Sequence, residues 1–462
     1  MIERLSNRRA FIRHTVTAGV VASVAGCLGG DDETDDDEPS ADADDDTATQ
    51  LSPDFVEISD PPDAVYVPTH REAMRMLEPV SVGEYRLAPM LTYPHPFWLV
   101  TGSTVERVDP TGEPEVHLMM TLFDPETDIV LPVDSGAELV LEYDGERVGQ
   151  PRNLWPMISQ EMGFHFGDNV TLDEYGTYAA TVTLPSPDVE FTGDFADRFS
   201  EPETASFEFV YDDEFLREVV EGVEYLDEEY WGARGALEPM DHGSHEDHGE
   251  HDDHDVHGDD DGHENHDGHG DDGEHEDHDE HEDHDDGDDH DEHDDHGEDD
   301  HGDDNHDGTD EHAHHVPYSA LPSLEAYPGT PLEPTSYESM GEDDLPRSGD
   351  ATFVSVLLDD SRFRGDDTDY LLVSPRTPYN AVPLADMTIR ATVERDGDVT
   401  AEVDLTQTID SEYDHHYGGI LDDIQSGDEI EIDVVGPPQV SRHRGYETAF
   451  IDMPPIDYLV PE

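Results

Sequence analysis

The sequence predicts an all-β protein: two tandem β-sandwiches, one helix after the first, and a long disordered His/Asp-rich linker before the second. Three observations carry this reading. Residues 63–211 and about 351–456 alternate apolar and polar side chains between frequent turn signals. The two regions match each other at a constant offset. Between them, residues 241–315 are Asp, Glu, Gly and His with almost nothing apolar, so they cannot bury a core.

The N-terminus carries Arg8 and Arg9 ahead of a mild apolar stretch from Thr15 to Gly26, too short to span a bilayer. The pattern resembles a twin-arginine (Tat-type) export signal. It ends at Val24-Ala25-Gly26-Cys27, which resembles a lipobox, so residues 1–27 read as a lipoprotein signal with Cys27 acylated. Cys27 is the only cysteine, which excludes an internal disulfide and any thiolate metal site in the folded part. Residues 28–62 form an acidic tether. The expected location is the extracytoplasmic face of the cell membrane, held there by a lipid anchor.

The chain holds 120 acidic residues against 21 basic ones, for a formal charge of −99. All 21 basic residues are arginine. Segment 241–315 contributes 37 of the acids, so the acidity is global and does not come from one tail. Such a surface repels itself unless salt screens it, and it looks like the surfaces of proteins from extreme halophiles. It argues against nucleic acid as a partner, which needs clustered positive charge.

In the first sandwich (63–211), Glu115–Phe123, Ala137–Tyr143, Tyr178–Leu184 and Ala205–Tyr211 read as strands, and Asp144-Gly145 as a hairpin turn. A helix is expected over 212–231. There Phe215, Val219, Val223, Leu226 and Tyr230 recur at helical spacing. An acidic His-rich linker is expected over 232–348 and the second sandwich over 349–462. Pro132 and Pro383, Glu161 and Glu412, His165 and His416, Phe166 and Tyr417, Gly167 and Gly418, and Gly176 and Gly427 are each separated by 251 residues. Asp144-Gly145 matches Asp396-Gly397 with a one-residue slip. Two copies of one sandwich explain these matches.

The strongest motif in the first copy runs from Trp155 through Pro156, Met157, Glu161, Met162 and His165 to Gly167 and Asn169. It resembles the Met-Pro-Met stretch, acidic residue and Pro-His-Tyr-Gly segment of the periplasmic iron-transport family (P19/Tp34-type metal-binding lipoproteins). The resemblance implies immunoglobulin-like sandwiches, with a transition metal held by Met, His and carboxylate at one end. It makes Met157, His165 and Glu161 ligands. It sets His117-Leu118-Met119 at the family's His-x-Glu, with Met119 replacing the carboxylate. The family's late Arg-His is missing from the first copy, where Arg198-Phe199 stands, and His95 is the expected replacement. In the second copy, Asp414-His415-His416-Tyr417-Gly418 resembles the His-Tyr-Gly segment, and Arg442-His443 resembles the Arg-His. That makes His416 and His443 candidates for a second, weaker site. Homodimers and delivery of metal to a membrane permease are further expectations from the resemblance.

The residue types point the same way. Imidazole with thioether suits copper(I) or iron(II), and Glu161 hardens the set toward iron(II). His117 and Met119, two apart on a strand, face one side. Met119, Met157 and Met162 also fit as ordinary core fillers, and His165 and His416 as hydrogen-bonded turn residues. Of 29 histidines, 21 lie within 242–315, many three apart. Interleaved with carboxylates, they suit weak binding of zinc, copper or iron(II). With no nucleophile–base set, no phosphate loop and no His-Glu-x-x-His, the chain does not read as an enzyme. The expected function is iron(II) uptake by an exported metal-binding lipoprotein. The alternatives are a zinc- or copper-scavenging surface lipoprotein and a structural surface protein.

Overall fold

The computed structural model describes residues 55–172, 174–240, 316–323, 326–336, 340, 345–363 and 368–461. The Arg8-Arg9 signal, Cys27, most of the tether and the His-rich segment 241–315 lie outside these residues. No helix among the described residues is long and apolar enough to cross a membrane.

The alternation sets the layers. In Glu115–Phe123, the side chains of Val116, Leu118, Met120 and Leu122 enter the main hydrophobic core, while His117 and Met119 take the opposite face. The same division runs through the paired strands. Leu91, Ile158, Phe164 and Phe166 belong to the core. Met90, Met157, His165 and Gly167 alternate with them in the ladder. The first sandwich closes this nine-stranded sheet with a four-stranded one, and the second pairs sheets of seven and five strands. One continuous core serves both, from Leu118 and Phe207 to Ile389 and Tyr417. The expectation of two tandem all-β sandwiches is met.

The two sandwiches trade strands. Ser441–Arg442, from the second copy, lies between Trp155–Ser159 and Phe97–Thr101 of the first. It runs parallel to Trp155–Ser159, with Met157 opposite Ser441 and Ile158 opposite Arg442. Reciprocally, Glu190–Thr192 of the first copy runs parallel to Thr406–Asp410 of the second, with Glu190 opposite Thr408 and Phe191 opposite Ile409. Moving each residue by the repeat offset converts one register into the other. The repeat is therefore a pseudo-twofold exchange, and the late Arg442-His443 corresponds to Phe191-Thr192. The placement of Arg198-Phe199 opposite Arg442-His443 is corrected: Phe199 corresponds to Phe450, and both adopt positive φ, 58° and 60°. The hairpin match holds. Asp144-Gly145 and Asp396-Gly397 share left-handed backbone, at φ 50° and 78° and at 55° and 82°, as a two-residue turn between twisted strands requires.

Two boundaries shift. The helix spans only Asp213–Glu221. The Asp212 carboxylate caps it, accepting from Phe215 N at 2.8 Å, and Phe215, Leu216 and Val219 are buried. Beyond Gly222 the apolar spacing continues, but the backbone finds better partners. Glu224–Tyr225 pairs with His70–Arg71, and Leu226 N donates to Thr69 O. The linker is also shorter than 232–348. Gly329–Pro331 and Arg347–Ser348 pair with Ala351–Leu358, and Glu333–Pro334 pairs with Ile456–Leu459. Described residues on either side of segment 241–315 meet one turn of the first sandwich. Met240 N donates to Glu161 O, and the Tyr318 hydroxyl donates to Gln160 O.

Candidate metal centre

Four imidazoles meet on the face of the nine-stranded sheet opposite the main core. His117 comes from the strand Glu115–Phe123 and His165 from Gly163–Thr171. His95 comes from the Pro94–Pro96 connection ahead of Phe97–Thr101, and His443 from just past the exchanged strand Ser441–Arg442. The His443 backbone N–H donates to Ile158 O, which fixes it to the first sandwich. The His443 ring centroid lies 4.9 Å from that of His95, 5.3 Å from His117 and 4.8 Å from His165. Ligand nitrogens of His95, His117 and His443 all fall within 4.8 Å of one another. Nε2 of His165 stands 3.0 Å from Nε2 of His443.

The outward nitrogens are tied to acceptors. His117 Nδ1 donates to Asn169 Oδ1 at 3.0 Å. The orientation of that amide is fixed because Asn169 Nδ2 must donate, and does, to His95 O at 2.9 Å. His165 Nδ1 meets Gly163 O, and His95 Nδ1 meets Pro96 O, each at 3.2 Å. An Nδ1–H that donates to a carbonyl leaves Nε2 with a free lone pair, the tautomer a metal needs. His117 Nε2 is buried and has no hydrogen-bond partner. His95 Nε2 likewise makes none and lies 3.4 Å from Glu72 Oε2. A buried polar atom without a partner costs about 1–3 kcal/mol, and a cation would relieve it.

Met157 belongs to the centre. It pairs with His165 in the ladder. Its Sδ and His117 Nε2 each lie 3.1 Å from where a β-carbon on Gly167 would stand, so glycine makes room for both. Burial keeps all four rings neutral. His165 is pushed down to about 3 and His95 to about 4, while His117 and His443 fall well below the usual imidazole range. Desolvation is the main cause, and neighbouring imidazoles and Arg444 add to it for His443.

Glu161 lies to one side of the triad. Its Oε2 accepts from Glu72 N at 3.1 Å and its Oε1 is 3.6 Å from Arg71. Burial and the Glu72 carboxylate raise its pKa to about 8. With Glu72, Met74, Met162 and His443 it lines a cavity of about 30 Å³. Met119 packs with Met90 and Met162.

His416 is corrected. Its Nε2 is taken by the Tyr370 hydroxyl at 3.1 Å and its Nδ1 by Asp414 O at 3.0 Å. In the ladder Tyr370 corresponds to His117: His117 faces Asn169 and Tyr370 faces Ile420. The Tyr370 hydroxyl fills the place above Gly418 that a β-carbon would take, where the first copy leaves space for the ligands. His416 and His443 therefore do not form a second centre. His443 instead joins the imidazole group of the first copy, at the place where Arg198-Phe199 was expected. The signal for this was already in the sequence: a His set without its last member in one copy, and an unmatched Arg-His in the other.

Residues 325–459 match a domain of unknown function, DUF7350. No curated protein matches the chain. Among solved structures, FetP of uropathogenic E. coli strain F11, as isolated after recombinant expression in the E. coli periplasm, is similar over 30% of this chain and 95% of its own, at 20% identity and a TM-score of 0.22. A copper-bound variant of that FetP, with one glutamate changed to glutamine, is similar over 30% of this chain and 97% of its own, at 20% identity and a TM-score of 0.21.

Proposed function

We infer that the chain is an extracytoplasmic metal-binding lipoprotein that takes part in iron(II) uptake, handing the ion to a membrane permease. The observation that carries the metal reading is the buried, unpartnered Nε2 of His117, held in its ligating tautomer by Asn169 and aimed at His95 and His443. Three imidazoles with His165 and a thioether beside them suit a borderline ion, iron(II) or copper. Delivery to a permease and the lipid anchor rest on the sequence resemblance and the export motif. The His-rich segment, whose neighbours Met240 and Tyr318 hydrogen-bond to Glu161 and Gln160 of the cavity lining, would raise the local metal concentration, with zinc among the ions it could hold.

The test is metal titration of the full chain with His117→Ala and His443→Ala. Each variant should lose one tight iron(II) or copper equivalent and keep the weak, multiple binding of the His-rich segment. Unchanged tight binding in both would remove the reading. A copper-handling role is the second reading, favoured by Met157, and relative affinity for copper(I) and iron(II) separates the two.

A further inference from the structure

The imidazole centre leaves one group of donors on its own face unused. Met90, Met119 and Met162 are buried against one another, with Met74 packed on them. Among the described residues no other hydrophobic side chain belongs to this cluster. The four come from separate segments. Met90 and Met119 are direct cross-strand partners, Met162 sits in the turn before Gly163–Thr171, and Met74 precedes Arg75–Met76. Met119 shares its face with His117 and stands opposite Gly167. Met74 and Met162 line the same small cavity as His443. Two of the thioethers, Met74 and Met162, therefore border one cavity with His443 of the imidazole centre.

Packing alone does not call for methionine here, and the second copy shows the alternative. Leu372 faces Gly418 as Met119 faces Gly167, and Val356 faces Leu372 as Met90 faces Met119. Val356 and Leu372 belong to a cluster with Val354, Leu358 and the tyrosines 327, 370 and 413. The same face of the same fold is filled by branched aliphatics and aromatics where the imidazoles are missing. It is filled by thioethers where they are present. Neutral sulfur donors select soft, low-charge ions.

We propose that Met74, Met90, Met119 and Met162 form a second metal site, made of thioethers, that takes a monovalent soft cation, copper(I) or silver(I), beside the imidazole centre. The site does not depend on which ion the imidazoles hold. Two experiments on the full chain test it. In the first, copper(I) is titrated anaerobically against bicinchoninate for wild type and for the triple variant Met90→Leu, Met119→Leu and Met162→Leu. Leucine keeps the volume and the fold. The variant should retain one copper(I) fewer per chain while its tight iron(II) binding is unchanged, and the His117→Ala variant should keep that copper(I). Equal copper(I) retention by wild type and triple variant overturns the proposal. The second experiment needs no variant. The selenomethionine-labelled chain receives one equivalent of silver(I), and absorption fine structure counts its selenium neighbours. Two or more are expected, because the imidazole centre offers only Met157. One or none overturns the proposal.

Discussion

His165 and His443 are 278 residues apart in sequence, yet their Nε2 atoms stand 3.0 Å apart with both rings buried. The contact exists because the Ser441–Arg442 strand of one sandwich is built into the sheet of the other. The candidate metal centre is therefore a product of the strand exchange and belongs to neither sandwich alone.

Gly167→Ala tests the space this exchange leaves. A β-carbon there would sit 3.1 Å from both His117 Nε2 and Met157 Sδ. The variant should fold with a stability loss of about 1–3 kcal/mol from overpacking, and lose tight metal binding at least tenfold. Thermal unfolding and metal competition, run side by side, read the two effects. Wild-type affinity in a destabilised variant would contradict the placement of Met157.

Asn169→Leu removes the acceptor that orients His117 and the donor to His95 O. Loss of such an outer partner costs roughly 10–100-fold in metal affinity. The same drop is expected here, although residue 169 touches no metal itself. Isothermal titration checks it, and an effect below threefold would mean the ring is held by packing alone.

His416→Ala separates the copies. Tight metal stoichiometry should stay as in the wild type, because Tyr370 occupies the corresponding place. Stability should fall by about 1–3 kcal/mol as the buried Tyr370 hydroxyl loses its partner. A reduced metal count would restore a second centre.

Acid should act on the chain in two stages. Histidines in ordinary surroundings protonate near about pH 6.5, so metal held by the His-rich segment should leave first. The centre, with His165 down to about 3 and His95 to about 4, should hold its ion down to about pH 4–5. Replacing the 21 histidines between 242 and 315 by serine should abolish the first step and leave the second. Folding follows with the same sign. His415, with neither ring nitrogen hydrogen-bonded, is pushed down to about 3, and His416 to about 4. The unfolded chain therefore binds protons first, and stability is lost as pH falls from about 6.5 toward 3. Glu72 and Glu161, raised to about 7 and 8, work oppositely, protonated in the fold and costing stability as pH rises through neutrality. Chemical denaturation from pH 4 to 9 should trace both slopes.

Much was legible in the sequence. Period-two alternation marked Glu115–Phe123, the Asp-Gly turns marked the hairpins, and matching residues at one offset disclosed the repeat. Met157 and His165 were legible as candidate donors from one local motif, and His117 from its place on a strand. The helix end was not, because the spacing of Val223, Leu226 and Tyr230 carries no record of the backbone partners at Thr69 and His70. Tyr370 closing the second site was also hidden, since its meaning depends on what lies across from Gly418.

The sequence by itself determined the strands, their inward and outward faces and the donor types, because these follow from local alternation and side-chain chemistry. Only the tertiary structure decided which residues of the two copies gather at the candidate centre. A strand added in parallel from 284 residues along the chain leaves no periodic trace, yet its register brings His443 to His165 and leaves Thr192 opposite Asp410 in the other copy.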